Sequence, residues 1–496
     1  MRVQPAFRDL ERDQLSSISL GSKSGVKPRG VHMAVVLPRG EAIRNFDQSG
    51  ALDLIKAKAE LTIISVFPEA NSVAALTRKY DRVLELRQET ERYPVRILRE
   101  LLDMAHGRNL WSQAAQERWR LRDTEASSSK ARIKRYGKKA ICFPFSNTAG
   151  LRVLERWERR ASRRLCPTDH YLNLYRELRP TLVFNGSHVH SQVAIQAIQA
   201  AQWLGIPTAT FIFSWDNLTS QGRILPAYDF YLVWNEELKR QLLLIYPDVL
   251  PERVLVTGTP QFDFHFRSNS YWTREEFCQK VGADVQRPIV LYSTGMAEHM
   301  PGEPLIVEQI ADILSGMTDL GAPQLLVRVY PKDRTGRFED LKSRRPDIVF
   351  PEARWIAQWL TPTESDNQML TNTLRHVAAG INVASTISLE LCMFDKPVIN
   401  VAYNPPGMAS VRVPYARYYE YDHYREVVES GAVDVARTPE AMRVQLREAL
   451  TNPGGRRLQR RSLMHRMFGD TLDGCSSDRI ANVLLDLAST ARVADV

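Results

Sequence analysis

Two segments of this chain, 182–213 and 378–403, follow one grammar: LVFNGSHVHSQVAIQAIQAAQWLGIPTATFIF and AAGINVASTISLELCMFDKPVINVAY. Each passes from a short apolar run through a small polar loop into a helix-spaced stretch. A tight turn ending in proline and a second apolar run follow. Continuous apolar runs bounded by turn residues read as strands buried on both faces, which belong to parallel sheets covered by helices. The grammar occurs once in each half, so it predicts two doubly wound α/β domains rather than a solenoid.

The rest of the chain fills in around those segments. Residues 1–30 mix charge, Ser and Gly and are expected to form a mobile tail. VHMAVVLP (31–38) and LTIISVFP (61–68) read as strands and SGALDLIKAKAE (49–60) as the helix between them, the opening of a parallel α/β domain. Residues 70–178 are charged and Leu-spaced, and are expected to be a mostly helical insertion. The α/β rhythm returns at RPTLVFNG (179–186) and runs to RVLVTGTP (253–260). It loosens over 267–287, where a domain boundary is expected, and resumes at RPIVLYST (287–294). The expected division is therefore a first domain over 31–270, a second over 271–450, and closing helices over 451–496. In such folds ligands sit outside the carboxyl ends of the strands, so the loops that follow strands are the places to look for chemistry.

Of 496 residues, 44% are apolar and 25% charged, a globular balance that excludes disordered and collagen-like classes. Lys and Arg number 66 against 57 Asp and Glu, a formal +9 that suits a phosphate-bearing partner without selecting one. Two stretches concentrate the excess. SSSKARIKRYGKKA (127–140) holds six Lys/Arg and no acid, and LRVLERWERRASRRLC (151–166) holds six Arg against two Glu. Beside solvated helix faces, these stretches are candidates for peripheral contact with anionic lipid head groups or for a phosphorylated acceptor. No specific nucleic-acid partner is expected, because aromatic interleaving is thin and no RNP, KH or zinc signature occurs. Five scattered cysteines, never spaced C-x-x-C, fit a reducing compartment. No apolar signal region and no run of about 18 apolar residues is visible, so the expected location is cytoplasmic, with any membrane contact made at the inner face.

Four absences narrow the chemistry. There is no G-x-x-x-x-G-K-[ST] loop, no G-x-G-x-x-G after a strand, no D-x-D metal motif and no G-x-S-x-G elbow. Neither a metal ion nor a resident cofactor is expected. In the second half, VASTISLE (383–390) offers Ser385, Thr386 and Ser388 hydroxyls at a helix start suited to an anion, with Glu390 one turn on as an acceptor for ribose hydroxyls; plain N-capping by Ser385 is the alternative. RVYPKD (328–333) offers Arg328, Tyr330 and Lys332, and LYSTGMAEH (291–299) offers Ser293 and Thr294. If the sheet is parallel, these three loops converge on one edge as a nucleotide-diphosphate site. In the first half, NGSHVHS (185–191) places His188 and His190 after a strand, where an imidazole suits a general base. SWDN (214–217) places Trp215, Asp216 and Asn217 at a strand end, with Asp216 as a candidate base and Trp215 as a stacking face for a sugar; a self-bonded turn is the alternative. Thr259 and Gln261 are expected near the same edge.

In this order the loops resemble those of the two-domain GT-B glycosyltransferases, and within them the bacterial CDP-glycerol glycerophosphotransferase-like and surface-carbohydrate transferases. The family's catalytic His-Gly loop falls on Trp215, Asp216 and Asn217. Its G-x-P-x-x-D turn falls on Gly258, Pro260 and Asp263, and its polar strand end before the linker helix on Ser293 and Thr294. Its His-Pro falls on Tyr330 and Pro331, and its donor loop on Ser385 and Thr386, with a later acid at Glu390. Two residues depart from the pattern. No histidine occupies the catalytic loop, so Asp216 replaces it or His188 acts, and Tyr330 stands for the histidine that would contact a polyol-phosphate donor.

The resemblance implies two Rossmann-like doubly wound domains facing across a cleft, with a helical insertion in the first. It also implies metal-independent transfer of a sugar from a nucleotide-sugar donor to a hydroxyl of a surface-glycan or glycolipid acceptor. Asp216 or His188 would be catalytic. Trp215, Asn217 and His190 would bind the acceptor, and Ser293, Thr294, Arg328, Tyr330, Lys332, Ser385, Thr386, Ser388 and Glu390 the donor. A CDP-polyol phosphotransferase, a nucleotide-sugar 2-epimerase and a non-enzymatic basic adaptor are the alternatives.

Overall fold

A computed structural model of the protein describes residues 30–66, 76–189, 193–356, 361–408 and 412–493. The expected N-terminal tail and His190 lie outside the described residues. The chain divides into two compact units, and the division falls between Asp263 and Phe264. The first unit comprises 30–263, 421–423 and 471–493, and the second 264–420 and 424–470.

The first unit is built on a seven-stranded sheet. Its strands are β1 (His32–Leu37), β2 (Glu60–Ser65), β3 (Arg82–Glu85), β4 (Leu182–Asn185), β5 (Thr208–Phe211), β6 (Phe230–Val233) and β7 (Val254–Val256). The spatial order is β3-β2-β1-β4-β5-β6-β7, every pair parallel. All six residues of β1 and all four of β4 and β5 are buried, which is why these strands read as unbroken apolar runs. β3 is the exception. It is a charged, half-exposed edge strand at the head of the region expected to be helical. The strand order reverses between β1 and β4, so the loops leaving those two strands diverge and open a crevice at their carboxyl ends.

Between β3 and β4 lie five helices: Tyr93–Leu110, Gln113–Glu125, Ser129–Cys142, Thr148–Leu165 and Asp169–Leu178. They have a core of their own around Leu101, Leu102, Met104, Ala105, Cys142, Leu151 and Leu154. Buried Arg99 ties the first of these helices to the fourth, its Nε 2.7 Å from Glu158 and one Nη 3.1 Å from Ser162, and it pairs also with Glu91. This is a stacked helical layer with a rigid polar bolt.

The second unit is built on β8 (Ile289–Ser293), β9 (Gln324–Arg328), β12 (Ala379–Asn382), β13 (Val398–Val401) and β14 (Asp434–Ala436), in the order β14-β13-β12-β8-β9 and again parallel throughout. A short antiparallel ladder, β10 (Trp355–Ile356) with β11 (Thr361–Pro362), lies outside the sheet. Here the reversal falls between β12 and β8. The core joins both faces of this sheet to the flanking helices through Ile306, Ile310, Ile381, Ile399 and Met442.

The two helices that close the chain divide between the units: Arg457–Phe468 belongs to the second and Ser476–Val493 to the first. Asp263 clasps the last helix. Its carboxylate accepts from the backbone N–H groups of Ser476 (3.3 Å) and Ser477 (2.7 Å) and from the Ser477 hydroxyl (2.7 Å). Gly258 lies in the left-handed region at φ 78°, and a Cβ there would come within 2.5 Å of Ser476 Oγ. The Gly258-x-Pro260-x-x-Asp263 turn is thus a seat for the final helix. All five cysteines are free, and among the described residues no helix is long and apolar enough to cross a membrane.

Candidate functional site

The carboxyl edge of the second sheet brings the expected loops after β8 and β9 together and locks them. Thr294 is buried; its N–H donates to Arg328 O (3.1 Å), and its hydroxyl accepts from the Tyr330 N–H (2.8 Å). Beneath them sits a buried charge network that sequence reasoning missed. Fully buried Glu303 receives the Gly295 N–H on both oxygens (3.0 and 2.9 Å), the Tyr292 hydroxyl (3.1 Å) and Arg337 Nη2 (2.9 Å). Arg337 reaches Asp333 through Nε (2.6 Å), the Gly295 carbonyl (2.9 Å) and the Met300 carbonyl. Burial pushes the Glu303 carboxyl up to about 7, against the pull of Arg337. Gly295 permits the close turn, since a Cβ there would lie 2.3 Å from Met300 Sδ.

The loop after β12 turns on Ala384, which adopts φ 39°. Asn382 Oδ1 accepts the Ser385 N–H (3.0 Å), and Ser385 Oγ lies 3.5 Å from the Ile387 N–H. The expected helix opening at Thr386 is confined to Ile387–Met393, seven residues. Its dipole is correspondingly short, so the loop's hydroxyls carry more of any anion-binding role than was expected. Ser388 corrects the expectation of a ligand contact. It is fully buried, and its hydroxyl is consumed by Asn382 (2.9 Å), Asn400 (3.4 Å) and the Tyr424 hydroxyl (2.7 Å).

Arg328 is a second correction: its guanidinium is paired with Asp366 at 2.6 Å, and Asp366 also accepts from Trp355 Nε1 (2.8 Å). Its charge is answered inside the fold. Ser293, Tyr330, Lys332, Ser385, Thr386 and Glu390 are half-buried. Glu390 is steadied by His265, whose Nε2 lies 2.9 Å from Glu390 Oε2 and whose Nδ1 lies 2.9 Å from Thr371 Oγ1. His265 has no motif around it; the run FDFHF gives no signal beyond an aromatic turn.

The carboxyl edge of the first sheet is different. Trp215, Asp216 and Asn217 form a tight turn into the short helix Asn217–Ser220. Asn217 Oδ1 accepts the Ser214 N–H (2.8 Å), and Asp216 Oδ2 accepts the Ser220 hydroxyl (2.9 Å). The self-bonded turn is therefore present, yet it leaves the Asp216 carboxylate half-buried rather than sealed. Against Trp215 stands His423, rings edge to face at 5.3 Å. It arrives on 421–423, a three-residue return of the chain to the first unit. Its Nδ1 is buried with no partner among the described residues. Burial lowers the His423 pKa while Asp216 and Asp422 oppose the shift. At neutral pH that makes an uncharged imidazole next to a carboxylate, the state a general base requires.

His188 is buried at the end of β4, its Nδ1 3.2 Å from Phe211 O and 3.3 Å from the Phe213 N–H. It lines a cavity of about 1070 Å³ that opens where the first sheet reverses, between the loops after β1 and β4 and the helical layer. Arg39, Arg96, Arg118, Arg122 and Arg223 share that lining with the acids Glu89, Glu100 and Asp103. Arg223 is engaged by Glu155 (2.5 Å) and stacked 4.7 Å over Tyr246. Arg122 lies 3.3 Å from Asp103. Arg118 donates to the Ser220 carbonyl (3.2 Å), while its buried Nε has no acceptor among the described residues. Thr259 and Gln261 are both buried, and Gln261 accepts from Arg44 at 3.0 Å. No group of three or more His, Cys, Asp or Glu able to hold a metal ion occurs among the described residues.

No protein-family model matches the chain, and a search of curated proteins finds no match either. Solved structures do match. The UDP-GlcNAc 2-epimerase of Neisseria meningitidis, bound to UDP-GlcNAc, aligns with a TM-score of 0.52 and 12% identity over 92% of this chain and 100% of that one. The UDP-GlcNAc 2-epimerase of Methanocaldococcus jannaschii gives 0.50 and 12% over 92% and 99%. A further UDP-N-acetylglucosamine 2-epimerase gives 0.50 and 14% over 92% and 95%. The fold is that of the two-domain GT-B class. Identities this low speak to fold and leave the reaction to be argued from the site.

Proposed function

We propose that this protein is a nucleotide-sugar-dependent glycosyltransferase of the GT-B class whose acceptor carries an anionic group. The observation that carries this reading is the cavity at the reversal of the first sheet. Transfer requires a site for an acceptor beside that for the donor, and epimerisation of a donor needs no acceptor. This cavity combines guanidinium groups for an anion with carboxylates able to accept sugar hydroxyls. At about 1070 Å³ it is at the upper end of small-ligand sites, room enough for more than one sugar ring.

In this reading the second unit holds the nucleotide at the reversal between β12 and β8. Thr294, Ser385 and Thr386 supply hydrogen bonds to the diphosphate, and Glu390, oriented by His265, accepts from the ribose hydroxyls. The locked loops make those donors pre-organised, so little reorganisation accompanies the charge that develops on the leaving nucleotide. The first unit holds the acceptor and supplies the base. Asp216, or His423 with Asp216 raising its basicity, takes the proton of the attacking hydroxyl. The nucleotide-binding half of the reading is supported by the neighbours of like fold, two of which are UDP-GlcNAc 2-epimerases, one of them bound to UDP-GlcNAc.

The test has two steps. A thermal-shift screen over CMP, CDP, UDP, GDP and dTDP identifies the base, because a bound nucleotide stabilises the fold by mass action. The matching nucleotide sugars are then offered with and without acid-bearing sugar acceptors, and products are read by mass spectrometry. A new glycosidic product that appears only with acceptor supports transfer. An isomerised donor without acceptor overturns it in favour of epimerisation, and a phosphodiester product overturns it in favour of polyol-phosphate transfer.

A further inference from the structure

We infer that the outer face of the helical layer, centred on the helix Ser129–Cys142, docks the protein onto an anionic lipid bilayer. The reason is an inversion. In a surface helix of a soluble protein the apolar stripe faces inward and the charges face water. This helix departs from that rule on the face between its two charged flanks. Arg135 (2.9 Å) and Lys139 turn inward onto Asp123, and Lys138 turns inward onto Glu100. Its large apolar side chains face out: Ile133 is 73% exposed, Tyr136 65% and Ile141 56%. The following turn adds Phe143 at 67%, and the next long helix adds Trp157 at 45%. Phe145 joins that turn to Trp157, rings edge to face at 5.5 Å.

Half-buried ion pairs beneath five large apolar groups that stand in water are unfavourable for a protein that stays in solution, and a cluster of this kind marks a surface meant to be covered. The charge around it selects the cover. Lys130, Arg132 and Lys134 on the same helix and Arg156, Arg159 and Arg160 beside Trp157 are all exposed. An apolar centre ringed by cations matches the two layers of an anionic membrane surface, acyl chains below and phosphate head groups at the rim. Tyr136 and Trp157 are the amphipathic rings favoured at that boundary. The same cations would weaken docking to a second copy of this chain, whose corresponding rim is equally positive. The inference does not rest on the transferase reading, because bilayer binding is measured without nucleotide.

The experiment is sedimentation of the full-length protein with vesicles of phosphatidylcholine alone or with about one-third phosphatidylglycerol, at low and high salt. The expected result is binding to the anionic vesicles that weakens with salt, and little binding to the neutral ones. The triple variant Ile133→Ser, Tyr136→Ser, Phe143→Ser is expected to lower partitioning by about a hundredfold, since several large apolar side chains no longer enter the bilayer. The triple variant Lys130→Glu, Arg132→Glu, Lys134→Glu is expected to abolish the preference for anionic lipid. Both sets lie on the exposed face, and an unchanged melting temperature confirms that each variant folds. Equal binding of wild type to neutral and anionic vesicles, unaltered binding by the serine variant, or absence of binding overturns the inference. So does a wild-type dimer in light scattering that the serine variant converts to monomer, which would make the face a contact between copies.

Discussion

The carboxyl edges of the two sheets occupy equivalent places in equivalent folds, and they are finished in opposite ways. In the second unit the loops after β8 and β9 are bolted together by Arg337, which Glu303 and Asp333 hold from two sides. In the first unit the corresponding edge opens into a cavity, and Arg118 there keeps a buried N–H with no acceptor among the described residues. One edge pairs its buried cation with two carboxylates, and the other holds a guanidinium with one N–H unmatched among the described residues. A guanidinium is therefore not informative by type: Arg337 and Arg328 are paired with carboxylates inside the fold, while Arg118 lines a cavity and, in the reading proposed above, meets the acceptor's anion.

Breaking the bolt tests the comparison hardest. Arg337→Met leaves two buried carboxylates without their cation and is expected to destabilise the second unit by about 3–5 kcal/mol, read as a shifted urea midpoint. The parallel change Arg118→Gln is expected to leave the urea midpoint nearly unmoved and to weaken binding of an acidic sugar by about tenfold in calorimetry. Equal losses of stability from the two substitutions would erase the distinction. Next in size, Asp216→Asn and His423→Gln are each expected to reduce turnover by about a hundredfold at unchanged melting temperature, if either group moves the acceptor proton. Glu390→Gln is expected to weaken nucleotide binding by about tenfold while sparing the acidic sugar.

The smallest effect is a difference in the sign of pH dependence. Glu303 titrates near 7 in the fold against its usual 4.5, so between those values the native state holds a proton that the unfolded chain has lost. Its contribution is fully present below about 4.5 and is lost as pH rises through 7. In the first unit His106 is buried beside Arg223, and burial first, then that cation, lowers its pKa to about 3 from 6.5. The unfolded chain takes up this proton first, so stability is lost as pH falls from 6.5 toward 3. Urea midpoints at pH 5 and pH 8 are expected to converge in Glu303→Gln for the basic-side loss, and His106→Gln to remove part of the acid-side loss.

The fold was legible where burial writes a one-letter pattern. β1, β4, β5, β8 and β12 lie inside covered parallel sheets and show as apolar runs, and the same physics makes their following loops findable. β3 and β14 escaped because short edge strands with polar ends have no such pattern. The site was half legible. Ser293, Thr294, Ser385, Thr386 and Asp216 stand at strand ends or in the loops that follow them, and Glu390 on the helix one turn on, where sequence order predicts them. Glu303 with Arg337, and Glu390 with His265, are pairs made across 34 and 125 residues. No local spacing encodes such contacts. Ser388 misled because a hydroxyl at a helix start looks the same whether it faces a ligand or, as here, Asn382 and Tyr424.

The clasp between Asp263 and the Ser476–Ser477 backbone has a consequence for how the molecule is made. The strands of the first unit are synthesised before the second unit, yet the helix Ser476–Val493 that completes it is synthesised after the second. Until that helix emerges, the Asp263 carboxylate lacks its three donors and the seat beside Gly258 stays vacant. Assembly of the first unit must therefore wait until 476–493 have been made, and a nascent chain would carry an unfinished first unit through the whole translation of the second.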